Sequence, residues 1–106
     1  MAKQLPAKSV FSRRLREARV RSGIAQDKLG VMIGLDEGCS SARMSRYENG
    51  VHEPPFSTIA NIARVLDVPL AYFFCEDDKL AEIMSLYTSA TESKRLAMYK
   101  AVMDSI

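Results

Sequence analysis

Apolar residues near the start of the chain recur at helical spacing. Phe11, Leu15 and Ala18 lie at i, i+4 and i+7, which predicts a helix with one face in a core. Ser9 is a suitable N-cap for this helix, and Gly23 is a suitable stop. The remaining positions carry arginines, which the pattern places on the surface: Arg13, Arg14, Arg16, Arg19 and Arg21.

Two further apolar segments follow in the second half of the chain. Residues 56–66 predict a well-buried helix, and residues 70–74 predict a short helix that also belongs to the core. The residues expected to be buried in the longer helix are Phe56, Ile59, Ala60, Ile62, Ala63 and Leu66.

Residues 76–106 carry two more helical patterns. The first has apolar residues at i, i+3, i+4 and i+7, namely Leu80, Ile83, Met84 and Tyr87. The last helix, from about residue 92, has apolar residues on two sides: Leu96, Tyr99 and Met103 on one, Met98, Ala101 and Val102 on the other. Because a small domain can bury only one such face, the other is expected to bind a partner, most simply a second copy. The dimerisation candidates are Leu96, Met98, Tyr99, Val102 and Met103. The alternative is a tail folded loosely on the domain.

Residues 26–50 predict two short helices joined by a turn. The first runs from residue 26 to 33 and ends before Gly34, and its apolar side carries Leu29, Met32 and Ile33. The second is predicted to begin after Ser40, a good N-cap, with Met44 and Tyr47 toward the core. Its outward positions are Ser41, Ala42, Arg43, Ser45 and Arg46. Small polar residues and arginines at an exposed helix start suit the DNA major groove, and an ordinary pair of surface helices is the alternative.

Two runs of residues in this stretch match a known pattern. They are Gln26-x-x-Leu29-Gly30-x-x-Ile33-Gly34-Leu35 and Ser40-x-x-x-Met44-Ser45-Arg46-Tyr47-Glu48-Asn49-Gly50. Together they resemble the Xre family, the Cro and phage-repressor type of helix-turn-helix regulator. The resemblance covers about residues 9–75 and implies an all-α fold, in which a compact five-helix repressor-like domain precedes the helical extension 76–106.

The chain departs from the family pattern in the turn. In the family, the turn glycine lies six residues before the buried aliphatic that Met44 replaces, whereas Gly34 and Met44 are ten apart here. Four extra residues fall within 36–39. The recognition helix then follows a bulged loop, or it begins a turn early with Asp36 as its cap.

The resemblance implies roles for single residues of the recognition helix. Ser41, Ala42 and Arg46 match positions that reach base edges in the family, and Arg43 lies beside them. Because an arginine fork can bind guanine O6 and N7, Arg43 is the first candidate for base specificity, with a phosphate contact as the alternative.

Other residues are candidates for binding the DNA backbone. Gln26 matches a glutamine that commonly contacts phosphate, and Asn49 lies where the family's loop approaches phosphate. Ser45 suits either a base or a phosphate. Arg13 and Arg16 belong to the arginine-rich face, which beside a DNA-binding unit predicts a row of phosphate contacts.

The resemblance also implies one ion pair. In the family, an arginine at the place of Arg19 often pairs with the glutamate that matches Glu48. Such a bridge would tie the first helix to the end of the recognition helix, and it would position these elements more than it stabilises them.

Charge and composition narrow the classes of function. Residues 1–50 hold ten Lys/Arg against five Asp/Glu, and residues 51–106 hold five against eight. The basic half therefore coincides with the predicted DNA-binding half. Two cysteines and one histidine cannot supply the usual ligands of a zinc site, so no metal or cofactor is expected. No nucleophile–base–acid set is recognisable, so the chain is not expected to be an enzyme.

The chain shows no sign of membrane insertion or export. It has no apolar run of about 18 residues and no signal-peptide pattern, so a cytoplasmic protein is expected. Residues 1–8 are predicted to form a flexible arm before the DNA-binding domain of residues 9–75.

The leading interpretation is a sequence-specific transcriptional regulator that binds double-stranded DNA. Because one helix-turn-helix covers few base pairs, a homodimer on a palindromic operator is expected, with half-sites about 34 Å apart. Repression by occupancy is the simplest mechanism. The alternative is an antitoxin that binds a toxin protein and represses its own operon.

Overall fold

The computed structural model describes residues 7–106, with side chains described from residue 10 onward. The elements in order are α1 (Ala7–Arg21), α2 (Gln26–Met32), α3 (Glu37–Glu48), α4 (Phe56–Leu66), a 3₁₀ helix (Leu70–Phe74), α5 (Asp78–Ser89) and α6 (Glu92–Asp104). Every regular element in this part of the chain is helical, which confirms the predicted all-α class.

The four helices α1, α2, α3 and α4 and the 3₁₀ helix share one hydrophobic core. The face of α1 predicted to be apolar is buried, with Phe11, Leu15 and Ala18 each at most 1% exposed. The residues that surround this face are Leu29, Met44, Tyr47, Ile59, Ile62, Leu66, Val68, Tyr72 and Phe73. Phe11 packs against Phe73 with ring centroids 5.5 Å apart, so α1 is central to the domain.

The N-terminal boundary of α1 differs from the prediction. The helix begins at Ala7, so Ser9 lies inside it and is not its N-cap. The predicted arm of residues 1–8 therefore loses its last two residues to α1. The rest of that arm lies outside the described residues.

Three large apolar residues predicted to be in the core are exposed: Phe56, Met32 and Phe74, the last of which ends the 3₁₀ helix and is 41% exposed. Phe56 is 68% exposed and Met32 is 57% exposed, whereas Ile59 and Leu29 on the same helices are buried. Phe56 is the first residue of α4 and Met32 is the last of α2, so both lie at helix ends, beyond the packed middle of the helix.

The helices α5 and α6 form an arm that extends from the core. Asp77 caps α5 by accepting bonds from the backbone N–H groups of Lys79 and Leu80, and Thr91 caps α6. Arg95 joins the two helices, because its guanidinium donates to the carbonyls of Tyr87 (3.0 Å) and Thr88 (2.6 Å).

The arm itself is little buried. Ala81 is the buried residue of α5, and α6 has none. The expectation that the domain buries one apolar face of the last helix was therefore wrong. The reason is that α6 packs back on α5 rather than on the core, which leaves both of its apolar sides open.

Candidate DNA-binding site

The recognition helix α3 begins earlier than the main prediction placed it. It starts at Glu37 with Asp36 as its flanking residue, so the start after Ser40 was wrong and the early-start alternative holds. The Asp36 side chain makes no capping hydrogen bond. Four inserted residues are close to the 3.6 residues of one helical turn. They therefore lengthen α3 by one turn without rotating Met44 away from the core.

The helices α2 and α3 cross at unusually short distance around Gly30. Ser40 is fully buried on α3, and its hydroxyl donates to the backbone carbonyl of Asp27 on α2 at 2.6 Å. A Cβ atom at residue 30 would lie 1.9 Å from the Ser40 hydroxyl oxygen. Glycine is therefore required for this packing, and the packing sets the position of α3 on α2.

The residues of α3 divide into a buried and an exposed side. Met44 and Tyr47 are buried, and the Ser12 hydroxyl on α1 donates to the Tyr47 carbonyl at 2.9 Å. The four base-reading candidates, Ser41, Ala42, Arg43 and Arg46, are all exposed. Because successive helical residues are about 100° apart, Ala42 lies near the middle of the exposed side and Ser41 and Arg43 at its two edges.

The carboxylate of Glu48 holds the end of α3 against both preceding helices. The Arg19 guanidinium on α1 pairs with both carboxylate oxygens through Nε and Nη2, and it also donates from Nη1 to the Ile24 carbonyl at 2.8 Å. The Gln26 amide nitrogen on α2 donates to the same carboxylate at 3.1 Å. The Glu48 side chain is only 2% exposed, so its charge is balanced by Arg19 away from solvent.

Gln26 is placed to bridge this network and the outer surface. Its amide nitrogen carries two hydrogens and uses one for Glu48, so a second donor remains for an external acceptor. The residue is half-buried, at the N-terminus of α2. Backbone N–H groups at a helix N-terminus favour anions such as phosphate, which suits the role expected for Gln26.

The C-terminal end of α3 and the loop after it carry exposed polar groups, and the loop also carries the acidic residue Glu53. Asn49 is exposed and its amide donates to the Ser45 hydroxyl at 3.2 Å, so these two backbone-contact candidates act as a pair. Arg43 and Arg46 line one depression with Tyr47, His52 and Glu53. Glu53 would repel a phosphate in that depression, so it constrains how DNA can approach the two arginines.

Arg13 and Arg16 lie on α1, apart from the exposed side of α3. Arg16 is exposed, whereas Arg13 donates to the Asp78 carboxylate at 2.7 Å. Both border a shallow groove along α1 that reaches Glu48 at one end. A phosphate bound by Arg13 would therefore compete with Asp78.

Arg14 does not belong to the exposed arginine face that the sequence predicted. Its side chain is 1% exposed and contacts the connection between the 3₁₀ helix and α5. A sequence signal for its burial exists, because Arg14 lies three residues after Phe11 and so shares the face of Leu15 and Ala18. Besides Glu17 on the same helix, its partners lie more than 60 residues away, and no sequence signal identifies them.

A buried tyrosine, Tyr72, lies beside Arg14 and shares the Glu17 carboxylate with it. The Tyr72 hydroxyl donates to the Glu17 carboxylate at 2.5 Å and accepts a longer bond from Arg21 at 3.5 Å. Burial, followed by the hydrogen bond to Glu17, raises the pKa of Tyr72 to about 12. The phenol is therefore neutral at physiological pH and serves as a hydrogen-bond donor.

The described residues show neither a metal-binding cluster nor a membrane span. No group of three or more His, Cys, Asp and Glu side chains among residues 10–106 has an arrangement that could hold a metal ion. Within the part of the chain that the structure describes, every helix is too short or too polar to cross a bilayer.

Comparison with known proteins identifies relatives of the helix-turn-helix domain. The helix-turn-helix domain family matches residues 10–71. Uncharacterised HTH-type transcriptional regulators of Sinorhizobium medicae (strain WSM419) and Rhizobium meliloti (strain 1021) are each 33% identical over 61 residues, which is 58% of this chain and 41% of theirs. A similar regulator of Bacillus subtilis (strain 168) is 32% identical over 63 residues, 59% of this chain and 51% of its own. The chain thus spans about half or less of these relatives.

A solved structure extends the similarity beyond the DNA-binding domain. The transcriptional regulator BswR superposes with a TM-score of 0.82 at 38% sequence identity, over 88% of this chain and 92% of its own. That share is larger than the domain alone, so the similarity includes part of the α5–α6 arm. These matches confirm the identification made from the sequence motif and are consistent with an Xre-type regulator. The chain belongs to the helix-turn-helix domain family, and the relatives that share this domain with it are transcriptional regulators.

Proposed function

We propose that this chain is a sequence-specific regulator of transcription that inserts α3 into the DNA major groove. The observation that carries the proposal is the exposed side of α3, where Arg43 and Arg46 accompany small residues. The buried carboxylate of Glu48 and the close contact at Gly30 hold this helix on α1 and α2. A rigidly held, exposed helix is what base readout in the major groove requires.

Arg43 is the residue assigned to base reading. Its test is Arg43→Ala, with Arg64→Ala as the matched control. Arg64 is also an exposed helical arginine, and among the described residues its side chain bonds only its neighbour Asn61 on α4. If Arg43 reads a guanine, its loss relaxes preference at one base position by about 1–3 kcal/mol. The control should bind as the unaltered protein does.

Competition binding on duplexes changed one position at a time distinguishes the two roles. Uniformly weaker binding, with the salt dependence reduced by about one unit of slope, would make Arg43 a phosphate contact instead. Unchanged affinity would remove Arg43 from the interface altogether.

We further infer that the protein acts as a homodimer through the α5–α6 arm. Four of the dimerisation candidates on α6, Leu96, Tyr99, Val102 and Met103, are between 49% and 58% exposed, and Met98 is half-buried. Large apolar side chains on both sides of one helix are costly to leave in water, at about 25 cal/mol per Å². A second arm packed against them would remove this cost.

The dimer is tested by placing a charge in the expected interface. Leu96→Lys and Tyr99→Lys should elute as monomers, because each puts an ammonium group where an apolar contact is expected. Ala97→Lys is the matched control, since residue 97 shares its side of α6 with Ser93, Lys100 and Asp104 and is also exposed. Both test residues are more than half exposed in the protomer, so the variants should fold. If they remain dimeric, the interface lies elsewhere.

The simplest mechanism for such a dimer is repression by occupancy of a palindromic operator. Two copies of α3 related by a twofold axis would read two inverted half-sites, and the bound dimer would block polymerase. In an in-vitro transcription assay, added protein should lower transcription from a promoter that overlaps the operator. The antitoxin alternative instead assigns the exposed arm to a toxin protein, and a chain that stays monomeric at micromolar concentration would favour it.

A further inference from the structure

One buried arginine connects the DNA-binding domain to the arm through several hydrogen bonds. Arg14 on α1 donates from Nε to the Cys75 carbonyl at 2.9 Å and from Nη2 to the Glu76 carbonyl at 3.3 Å. Its Nη2 also donates to the Asp78 carboxylate at 2.9 Å. A single guanidinium therefore holds three points of the connection that leads into α5.

Asp78 is the point at which this contact reaches the arm. It is the first residue of α5, and one of its carboxylate oxygens accepts bonds from both Arg13 (2.7 Å) and Arg14 (2.9 Å). Hydrogen bonds from Arg13 and then Arg14 lower the pKa of the Asp78 carboxyl below its ordinary value. The carboxylate is therefore charged at neutral pH, and two cations on α1 face it.

Apolar packing alone does little to fix the direction of the arm relative to the domain. Of the residues in α5, Ala81 is buried and Met84 packs partly against the core, whereas Leu80, Ile83 and Leu86 are 46–56% exposed. A helix anchored by one small and one flexible side chain can rock about that contact. The arginine contacts at its first residue supply directional restraint that this packing does not.

We propose that Arg14 and Asp78 are positioning residues, which fix the direction of the arm and so set the distance and orientation between the two DNA-reading helices of the dimer. The proposal rests on the homodimer proposed above, and it adds a residue-level determinant of operator spacing. Neither side chain needs to touch DNA for this role.

The geometry makes spacing sensitive to small changes at this point. The twelve residues of α5 span about 18 Å at 1.5 Å per residue. A rotation of about 10° at its first residue moves the far end by about 3 Å, which is close to the 3.4 Å rise of one base pair. In a twofold dimer the change occurs in both arms. Loss of the arginine contacts to Asp78 should therefore reduce the discrimination between operators that differ by one base pair in spacing.

The test compares Asp78→Asn with Asp77→Asn in the full-length chain. Asp78→Asn removes the charge that both arginines contact and keeps the shape of the side chain. Asp77→Asn removes the same charge one residue earlier, and asparagine is an equally good N-cap, so the capping bonds to Lys79 and Leu80 can persist. Each protein is measured for oligomeric state, for affinity to a single half-site, and for affinity to palindromes with the central spacer altered by one or two base pairs.

The expected result separates spacing from affinity. Asp78→Asn should remain a dimer and bind a single half-site no more weakly than the unaltered protein does, because Arg13 is released and not removed. Its discrimination against the altered spacers should nevertheless fall by about threefold or more, a size suited to a partly exposed ion pair. Asp77→Asn should keep full discrimination.

Two results would overturn the inference. One is an Asp78→Asn dimer whose spacing preference is unchanged; the other is an equal loss in Asp77→Asn, which would trace the effect to net charge rather than to the arginine contacts. A full-length protein that is monomeric, or that prefers no palindrome, would instead contradict the proposed homodimer. The failures of the two proposals are therefore distinguishable.

Discussion

The close crossing of α2 and α3 makes Gly30→Ala the most informative test of how the recognition helix is held. An added Cβ would lie 1.9 Å from the Ser40 hydroxyl oxygen, 2.9 Å from the Ser40 Cβ and 3.2 Å from the Met44 Cγ. The first two distances are too short for packed atoms. Because Ser40 is fully buried, either its side chain must leave its rotamer or α3 must move outward.

Opposing contributions decide the magnitude. Overpacking of a core costs about 1–3 kcal/mol, and the better helix propensity of alanine returns about 1 kcal/mol. Because the 1.9 Å approach to the Ser40 oxygen puts the overpacking cost in the upper part of that range, about 2–3 kcal/mol, Gly30→Ala should lower the free energy of unfolding by about 1–2 kcal/mol. Ser40→Gly should lower it by about 2 kcal/mol, because it loses the hydrogen bond to the Asp27 carbonyl and places a glycine in a helix.

Combining Gly30→Ala with Ser40→Gly should remove or reverse the destabilising effect of Gly30→Ala. With Ser40 replaced by glycine, the methyl group at residue 30 enters space that the serine side chain has left. Gly30→Ala should then be neutral or should stabilise the protein by up to about 1 kcal/mol. Urea unfolding of the four proteins at one concentration, followed by far-UV circular dichroism, gives a coupling free energy expected to be about 1–3 kcal/mol. If Gly30→Ala is equally destabilising in both backgrounds, the Ser40 contact is not the cause.

Two further changes test other parts of the structure. Arg19→Leu leaves the buried Glu48 carboxylate with Gln26 as its remaining described partner, so the free energy of unfolding in urea should fall by about 3 kcal/mol. Arg16→Leu, on the exposed side of α1, should change it little. Equal losses in the two variants would contradict the role of the ion pair. The raised pKa of Tyr72 means that the folded state holds this proton more tightly than the unfolded state, whose ordinary pKa is 10.0. The stability that this provides is complete below pH 10 and is lost as pH rises toward 12. The difference in stability between the unaltered protein and Tyr72→Phe should therefore narrow over that interval, and a constant difference would show that the phenol titrates normally.

The sequence predicted those parts of the fold that depend on local periodicity. The burial of Leu15, Met44 and Tyr47 follows from helical spacing, and the exposure of Arg43 and Arg46 follows from the same count. These positions lie in the middle of their helices, where one face must meet the core. Periodicity is therefore sufficient to assign them.

The start of α3 could not be decided from local signals. Ser40 has the chemistry of an N-cap, but its hydroxyl is used by the Asp27 carbonyl on another helix. The four inserted residues form a helical turn because that keeps both Ser40 and Met44 on the buried side. Tertiary packing thus overrides a good capping residue.

The polar contacts between the DNA-binding domain and the arm could not be predicted from the sequence, for a different reason. Arg14 lies on the core face by spacing, yet its four neighbouring arginines suggested a solvated surface. Its partners at residues 75–78 become neighbours only after the 3₁₀ helix has packed against α1. The exposure of both apolar sides of α6, where the sequence predicted exposure of one, was also unforeseen, because nothing in the sequence shows that α6 packs on α5 instead of the core.

The most direct test of the central claim is selection of random duplex DNA by the full-length protein at about 150 mM salt, followed by sequencing of the enriched pool, because specific and general binding separate at physiological salt. The account predicts an enriched palindrome with half-site centres about 10 base pairs apart, one helical turn of DNA. A pool without enrichment, bound only in a salt-sensitive and sequence-independent way, would contradict it.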